Sequence, residues 1–274
     1  MPSSVEIISI GRELLIGKTP NTNAQWLAKR ATTLGLEVRR VTTVPDDVDE
    51  ISRAVRETTE REPRFIITTG GLGPTFDDKT LEGIAEALKC KLVVHDQALQ
   101  MVREKYRKYA EEGLLETAEL TPHRVKMARL PEGAAPLPNP LGTAPGVMME
   151  HEGATLVALP GVPSEMKAIF EESVASLFRE AAGNVTFFET SVDVKGIPES
   201  AVAPLIDQTM HDNPLVYIKS HPKGGEGGPH IELHLSTTAE DADTAKGLIG
   251  RALLQISELI RDKGGSVRPL KGES

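Results

Sequence analysis

The sequence predicts an α/β chain, a three-layer α/β/α sandwich with a mainly parallel sheet joined to a small α+β domain, on three observations. Short apolar runs alternate with segments of helical period from VEIISIG near the start to LFREA, the pattern of strand, crossover helix and strand. Some of the runs, RFIITTGG above all, lack polar alternation and so suit strands buried on both faces. After AAGN the pattern changes, which divides the chain into a first domain over 1–175, a second over 176–264 and a frayed tail over 265–274.

In order, VEIISIG, NAQWLAKRATTLG and LEVRRVTTV read as strand, helix and strand, with Gly35 as the helix stop. DDVDEISRAVRETTER is helical with an Asp cap, RFIITTGG a strand and DDKTLEGIAEALK a helix. The longer helix HDQALQMVREKYRKYAEEG precedes a Pro- and Gly-rich stretch, LPEGAAPLPNPLGTAPG. The strand GATLVALPG and the helix PSEMKAIFEESVASLFREA then complete the first domain. In the second, FFETSVDVKG, LVYIKSHP and HIELHLSTT are strands, with a hairpin around KGGEGG, and SAVAPLIDQTM and ADTAKGLIGRALLQISELIRD are helices.

The balance of 31 Lys+Arg against 40 Asp+Glu gives a net charge of −9 without a basic run, which argues against nucleic acid as a partner. No apolar run reaches the roughly 18 residues of a membrane span, and no basic leader precedes the first strand, so a cytoplasmic protein with no membrane partner is expected. Cys90 is the only cysteine. Internal disulfides are therefore excluded, and a core position at a helix-to-strand junction is expected for it, with no catalytic role.

GRELLIGKT mimics a nucleotide-binding P-loop, but five residues separate Gly11 from Gly17 where that loop needs four. Lys18 is therefore incidental. FIITTGGLGPTFDDKTLEGIAEAL is the better phosphate site, because a buried strand ends, glycines follow and a helix begins. Gly70, Gly71 and Gly73 allow backbone N–H groups to converge on an anion at the carboxyl edge of the sheet. Asp77 and Asp78 beside an anion make electrostatic sense with a cation between them, although either could simply cap the helix.

TGGLGPTFDDKT resembles the signature of the CinA family, whose amino-terminal domain shares the fold of the molybdopterin-binding proteins MogA and MoaB. EIISIGRELLIGKTPNTNAQWLA, LPEGAAPLPNPLGTAPG and LPGVPSEM resemble further family motifs in the family's order, and together the four cover residues 5 to about 172. YIKSHPKG and IELHLS resemble the small KH-like domain that follows in CinA proteins. The chain stops before the nicotinamide mononucleotide deamidase domain of full-length members, so deamidation is not expected of it. One departure is Lys126-Met127-Ala128, where many members carry Lys-Gln-Ala.

The resemblance implies a divalent-metal-dependent pyrophosphatase acting on ADP-ribose or a related nucleotide diphosphate. Asp77 and Asp78 would be its catalytic residues and would hold Mg, Mn or Co. Gly70, Gly71, Gly73, Pro74 and Thr75 are expected around the ligand, and Asn21 and Asn23 are expected to face the pocket, with an N-cap the other reading for Asn23. Asn139, Gly142, Thr143 and Gly146 suit contacts to ribose or phosphate from a loop, or a purely structural role. Gly161, Ser164 and Glu165 stand at a helix start, as ligand contacts or as a capped terminus. The resemblance also allows a molybdopterin-binding or pterin-adenylyl module, and a non-catalytic partner of a separate deamidase. A small-molecule nucleotide or pterin is the expected ligand and a homo-oligomer, with a dimer favoured, the expected assembly.

His230, Glu232 and His234 alternate on one strand face, which with His221 forms either a metal set or a solvated surface. GGEG fits the G-x-x-G of RNA-binding KH domains, but it joins two strands and contains Glu226. Ser164 lacks the surround of a nucleophile elbow.

Overall fold

The computed structural model describes residues 3–223 and 229–270. Contacts divide the chain into two units, Met1–Thr32 with Leu36–Ala182, and Gly183–Ser274 with Thr33–Gly35.

The first unit opens with β1 (Ser4–Ile10), the single turn α1 (Arg12–Leu15), α2 (Thr22–Thr33), β2 (Glu37–Val44), α3 (Val48–Thr59) and β3 (Phe65–Thr69). It continues through α4 (Thr80–Ala87), β4 (Leu92–Val94), α5 (Asp96–Glu111), α6 (Pro122–Lys126), β5 (Arg129–Pro131) and β6 (Ala135–Leu137). The last part is β7 (Gly146–His151), β8 (Ala154–Leu159) and α7 (Pro163–Ile169), which passes through a π turn at Phe170–Val174 into α8 (Ala175–Ala182). The sheet order is β2-β1-β3-β8-β7-β6, with the first four strands parallel and β7 and β6 antiparallel. β4 and β5 pair separately. The chain leaves β1 toward one side of the sheet and β3 toward the other, so the direction switches between these two strands. A ligand crevice opens at such a switch in an open α/β sheet.

β1 and β3 are buried at every position because apolar side chains of both parities meet helices. Ile8, Ile10 and Ile66 pack with Ile51 and Val55 of α3 and Ile84 of α4. On the other face Phe65 meets Phe178 at 4.5 Å, Phe178 meets Phe170 at 5.3 Å and Phe170 meets Trp26 at 5.4 Å between ring centres. Burying each such side chain contributes about 1.5–3 kcal/mol. Glu6, only 3% exposed within β1, is held by a bidentate Arg61, with a closest approach of 2.6 Å. The Asp cap expected for α3 is Asp47, which accepts from the N–H groups of Asp49 and Glu50.

The helix expected over PSEMKAIFEESVASLFREA is present from Pro163 to Ala182, with a π turn that absorbs an extra residue and keeps Phe178 on the core. Two readings are corrected here. The Pro- and Gly-rich stretch contains β6 and borders β5 and β7, short strands whose prolines Pro131 and Pro136 suit marginal positions in a sheet. Cys90 is half-buried, lying just past the end of α4 and outside the core.

The second unit pairs β9 (Thr186–Lys195), α9 (Glu199–Asp212), β10 (Val216–Pro222), β11 (His230–Ala239), α10 (Ala242–Asp262) and β12 (Ser266–Pro269) into an antiparallel sheet of order β10-β11-β9-β12. Along β11 buried and half-buried positions alternate, and Ile231, Leu233 and Leu235 meet Val202 and Ile206 of α9 and Ile249, Ile256 and Ile260 of α10. Residues 265–274, expected to fray, contain β12, paired with β9 from Ser266 to Pro269. Gly264, at φ 85°, and Gly265 end α10 and reverse the chain onto that edge. The edge strands β10 and β12 each finish in proline, Pro222 and Pro269. The GGEG loop with Glu226 lies outside the described residues. Among the described residues no helix is long and apolar enough to cross a membrane.

Candidate functional site

The carboxyl ends of β1, β3 and β8 meet at the glycine turn after β3. Gly70 has φ 109° and a side chain there would put its Cβ 2.2 Å from the Ile10 carbonyl oxygen. Gly71 has φ 64° and a Cβ there would lie 2.4 Å from the Thr80 hydroxyl. That hydroxyl donates to the Gly70 carbonyl at 2.7 Å, while the Gly70 N–H donates to Leu159 at 3.0 Å. Gly70 is therefore spent on tying β3 to β8. Gly71, Leu72 and Gly73 make no backbone N–H bond among the described residues, so they are the donors left for an anion.

The loop beyond is tightly strapped. The Thr75 N–H donates to Asp78 Oδ2 at 2.8 Å, and its hydroxyl lies 2.6 Å from the same oxygen and in contact with Asp77 Oδ1. Lys126 Nζ donates to the Thr75 carbonyl at 2.5 Å and the Asp78 carbonyl at 2.6 Å, and a His123 ring nitrogen lies 3.3 Å from the Pro74 carbonyl. The Thr75 hydroxyl, the Asp77 backbone and the charges of Lys126 and Lys79 hold the Asp77 carboxyl below its ordinary pKa. Neither aspartate caps α4, whose N-cap is Lys79 without a side-chain bond. A Cβ at Gly73 would lie 2.6 Å from Asp78 Oδ2, so the carboxylate needs that glycine.

Two carboxylates converging on one hydroxyl fit a divalent cation whose remaining ligands come from phosphates. No group of three or more His, Cys, Asp or Glu placed for a metal occurs among the described residues. The His230, Glu232 and His234 face is instead engaged in ion pairs and hydrogen bonds: His230 with Asp193 at 2.5 Å, Glu232 with Lys223 at 2.7 Å, and His234 with Ser191 at 3.2 Å.

Two cavities border the turn. One, of about 40 Å³, is lined by Gly71, Leu72, Gly73, Asp78, Lys126 and Arg129 among others. The second, of about 120 Å³, is lined by Ile10, Glu13, Asn21, Asn23, Thr69, Gly70 and Gly161 among others. Asn21, rather than Asn23, caps α2, accepting from the Ala24 N–H at 3.1 Å. Asn23 Nδ2 reaches Thr69 Oγ1 at 3.0 Å and the Gly161 carbonyl at 2.8 Å, strapping α2 to the ends of β3 and β8. In the GRELLIGKT turn the N–H groups of Lys18 and Thr19 both donate to the Glu13 carbonyl, so no phosphate cradle exists there.

Other expected contacts are used structurally. Asn139 donates to the Ala144 carbonyl at 2.8 Å and Glu165 Oε2 at 2.7 Å and accepts from the N–H groups of Leu141 and Gly142, which exhausts its amide. Gly142 lies against Glu165, where a Cβ would come 1.9 Å from Oε2, and Gly146 is packed beneath Ile169. Thr143 lines a separate cavity of about 250 Å³ with Lys105 and Lys108. Ser164 is exposed in the first turn of α7, where Val162 is the N-cap and makes no side-chain bond, so that terminus is not side-chain capped. Met127 is buried, its sulfur 3.8 Å from the Thr143 hydroxyl. Sequence reasoning missed Lys126 and Arg129 as site residues, although Arg124, Lys126 and Arg129 are a local basic cluster in an acidic chain.

The family described as a probable molybdopterin binding domain matches residues 6–180. A protein of Aeropyrum pernix is 47% identical over 262 residues, 95% of this chain and 95% of the relative. One of Pyrobaculum arsenaticum is 45% identical over 261 residues, 95% of this chain and 96% of the relative. The crystal structure of the protein CinA, of unknown function, from Thermoplasma acidophilum matches with 40% identity and a TM-score of 0.57, over 62% of this chain and 95% of that one. The chain therefore belongs to the probable molybdopterin binding domain family, as a CinA-like member.

Proposed function

We propose that the first unit binds a phosphorylated pterin or nucleotide, with its phosphate against the N–H groups of Gly71, Leu72 and Gly73. The observation that carries this reading is Lys126. Of its three ammonium donors two are bonded to the Thr75 and Asp78 carbonyls, and the third remains for a ligand oxygen in the cavity that Arg129 also lines. Two cations in an otherwise acidic chain, beside backbone donors at a strand end, form an anion subsite. Calorimetry with AMP, ADP-ribose and 6-hydroxymethylpterin monophosphate tests it. Lys126→Met should weaken every ligand that binds by on the order of tenfold, the value of one charge-assisted bond. Binding of none of them to the unaltered protein would refute the reading.

The convergence of Asp77 and Asp78 favours a second reading, hydrolysis of the diphosphate of ADP-ribose to AMP and ribose 5-phosphate. Asp77 and Asp78 would hold Mg, Mn or Co, which when bound supplies positive charge to the phosphates. Thr75 orients both carboxylates, Lys126 fixes the loop that carries them, and the Gly71–Gly73 N–H groups hold the charge that grows on the leaving phosphate. Chromatography of ADP-ribose incubated with each metal should then show AMP, and Asp77→Asn should abolish it. No AMP with any metal, alongside tight binding, would leave the binding reading alone.

A further inference from the structure

Phe76 is 85% exposed, whereas Phe65, Phe170 and Phe178 are at most 1% exposed and stacked together in the core. It sits midway along the loop that separates the glycine turn from α4. The backbone on both sides of it is fixed, since Lys126 holds the carbonyls of Thr75 and Asp78 and the Thr75 hydroxyl holds both aspartates. An aromatic ring offered to solvent on a strapped loop, two residues before Asp78, which lines the cavity with Gly73 and Lys126, differs from a side chain at a frayed tip. Thr75 and Asp77 on either side of it are polar and engaged, and Leu72 is buried, so the ring is the loop's one exposed large apolar group. A ligand that carries a phosphate and a planar ring presents both chemistries to this arrangement, phosphate to the glycine N–H groups and ring to Phe76.

We infer that Phe76 is a stacking platform for the heterocycle of the ligand, adenine or pterin, and is a specificity-determining residue of the first unit. The inference rests on the phosphate-binding reading above. It selects phosphates that bear a flat aromatic ring over sugar phosphates that lack one. Stacking of a base on an aromatic side chain changes affinity on the order of tenfold when the ring is removed.

The test compares AMP, 6-hydroxymethylpterin monophosphate and ribose 5-phosphate by calorimetry on the unaltered chain, Phe76→Ala and Phe76→Trp. Phe76→Ala should weaken AMP, the pterin phosphate, or both on the order of tenfold and leave ribose 5-phosphate unchanged. Which ring is affected identifies the ligand class. Phe76→Trp should restore the affinity, and its added fluorescence should be quenched on binding. Equal effects on all three phosphates, or none, would overturn the platform while leaving the phosphate site standing. Loss of an oligomer in Phe76→Ala, measured by light scattering, would make Phe76 a subunit contact and would also overturn it. Failure of the unaltered chain to bind any of the three would refute the phosphate-binding reading itself.

Discussion

Two glycine-bearing loops of the first unit, 70–78 and 139–146, look alike as sequences, each with small residues, a proline and polar groups that could meet a ligand. The structure separates them by where their hydrogen bonds go. In the second loop Asn139 serves both of its amide ends to the loop itself, and Gly142 makes room for Glu165. In the first, only Gly70 is spent on the sheet, while the next three N–H groups take no acceptor among the described residues and two carboxylates converge on the Thr75 hydroxyl. A polar loop becomes a binding loop when its capacity is left over after folding.

That contrast can be broken or sharpened by substitution. The largest effect is expected from Gly70→Ala, which puts a Cβ at positive φ against the fixed Ile10 carbonyl and should cost about 3–4 kcal/mol in urea unfolding. A loss under about 1 kcal/mol would show that the turn can relax. Asn139→Ala should come next, at about 2–3 kcal/mol, because buried donors and acceptors lose their partner. Its phosphate affinity, measured by calorimetry, should stay unchanged, and a loss would place that loop in the site after all. Gly142→Ala should cost only about 1 kcal/mol by the same unfolding assay, since the Glu165 side chain can swing away and no positive φ is involved.

The smallest effect concerns a group far from either loop. Asp241 caps α10 through the Thr244 N–H at 2.8 Å, and that bond, with the Thr244 hydroxyl, lowers its pKa. A carboxylate with a lowered folded pKa contributes stability that is present above the unfolded pKa and lost as pH falls through the folded one. Asp241→Asn keeps a good cap without the titration. Melting curves of the two proteins should therefore differ at neutral pH and draw together as pH falls below the ordinary aspartate pKa and through the lowered folded one. A constant gap across that range would remove the cap charge from the account.

The architecture was legible where a segment carried its own reason. RFIITTGG has no polar alternation, so its burial followed from composition, and DDVDEIS announced its cap. The strands β5 and β6 were not, because three-residue strands carrying Pro131 or Pro136 are stabilised by their partners rather than by local preference. Arg129 stayed hidden for the same reason, since the β4–β5 pair that carries it is a long-range contact, and Lys126 reaches the site only through its bonds to the Thr75 and Asp78 carbonyls, about fifty residues earlier in the chain. For Asn21 and Asn23 the residue types were readable but their roles were not. Which one caps depends on whether α2 starts at 22 or at 24, a boundary decided by the Thr69 and Gly161 acceptors that engage Asn23.

The outer edge of β10 carries a further consequence. Its alternate N–H groups at Val216 and Ile218 are given to the Asn213 carbonyl at 2.9 Å and the Met210 sulfur at 3.4 Å. Pro222, of the same parity, has no N–H at all. Only the Ser220 N–H remains as a donor to an incoming strand, and the opposite edge is four residues long and also closes on a proline. Such an edge is a poor template for another chain. The proline ends and inward-turned N–H groups thus act against sideways growth of this sheet in crowded solution.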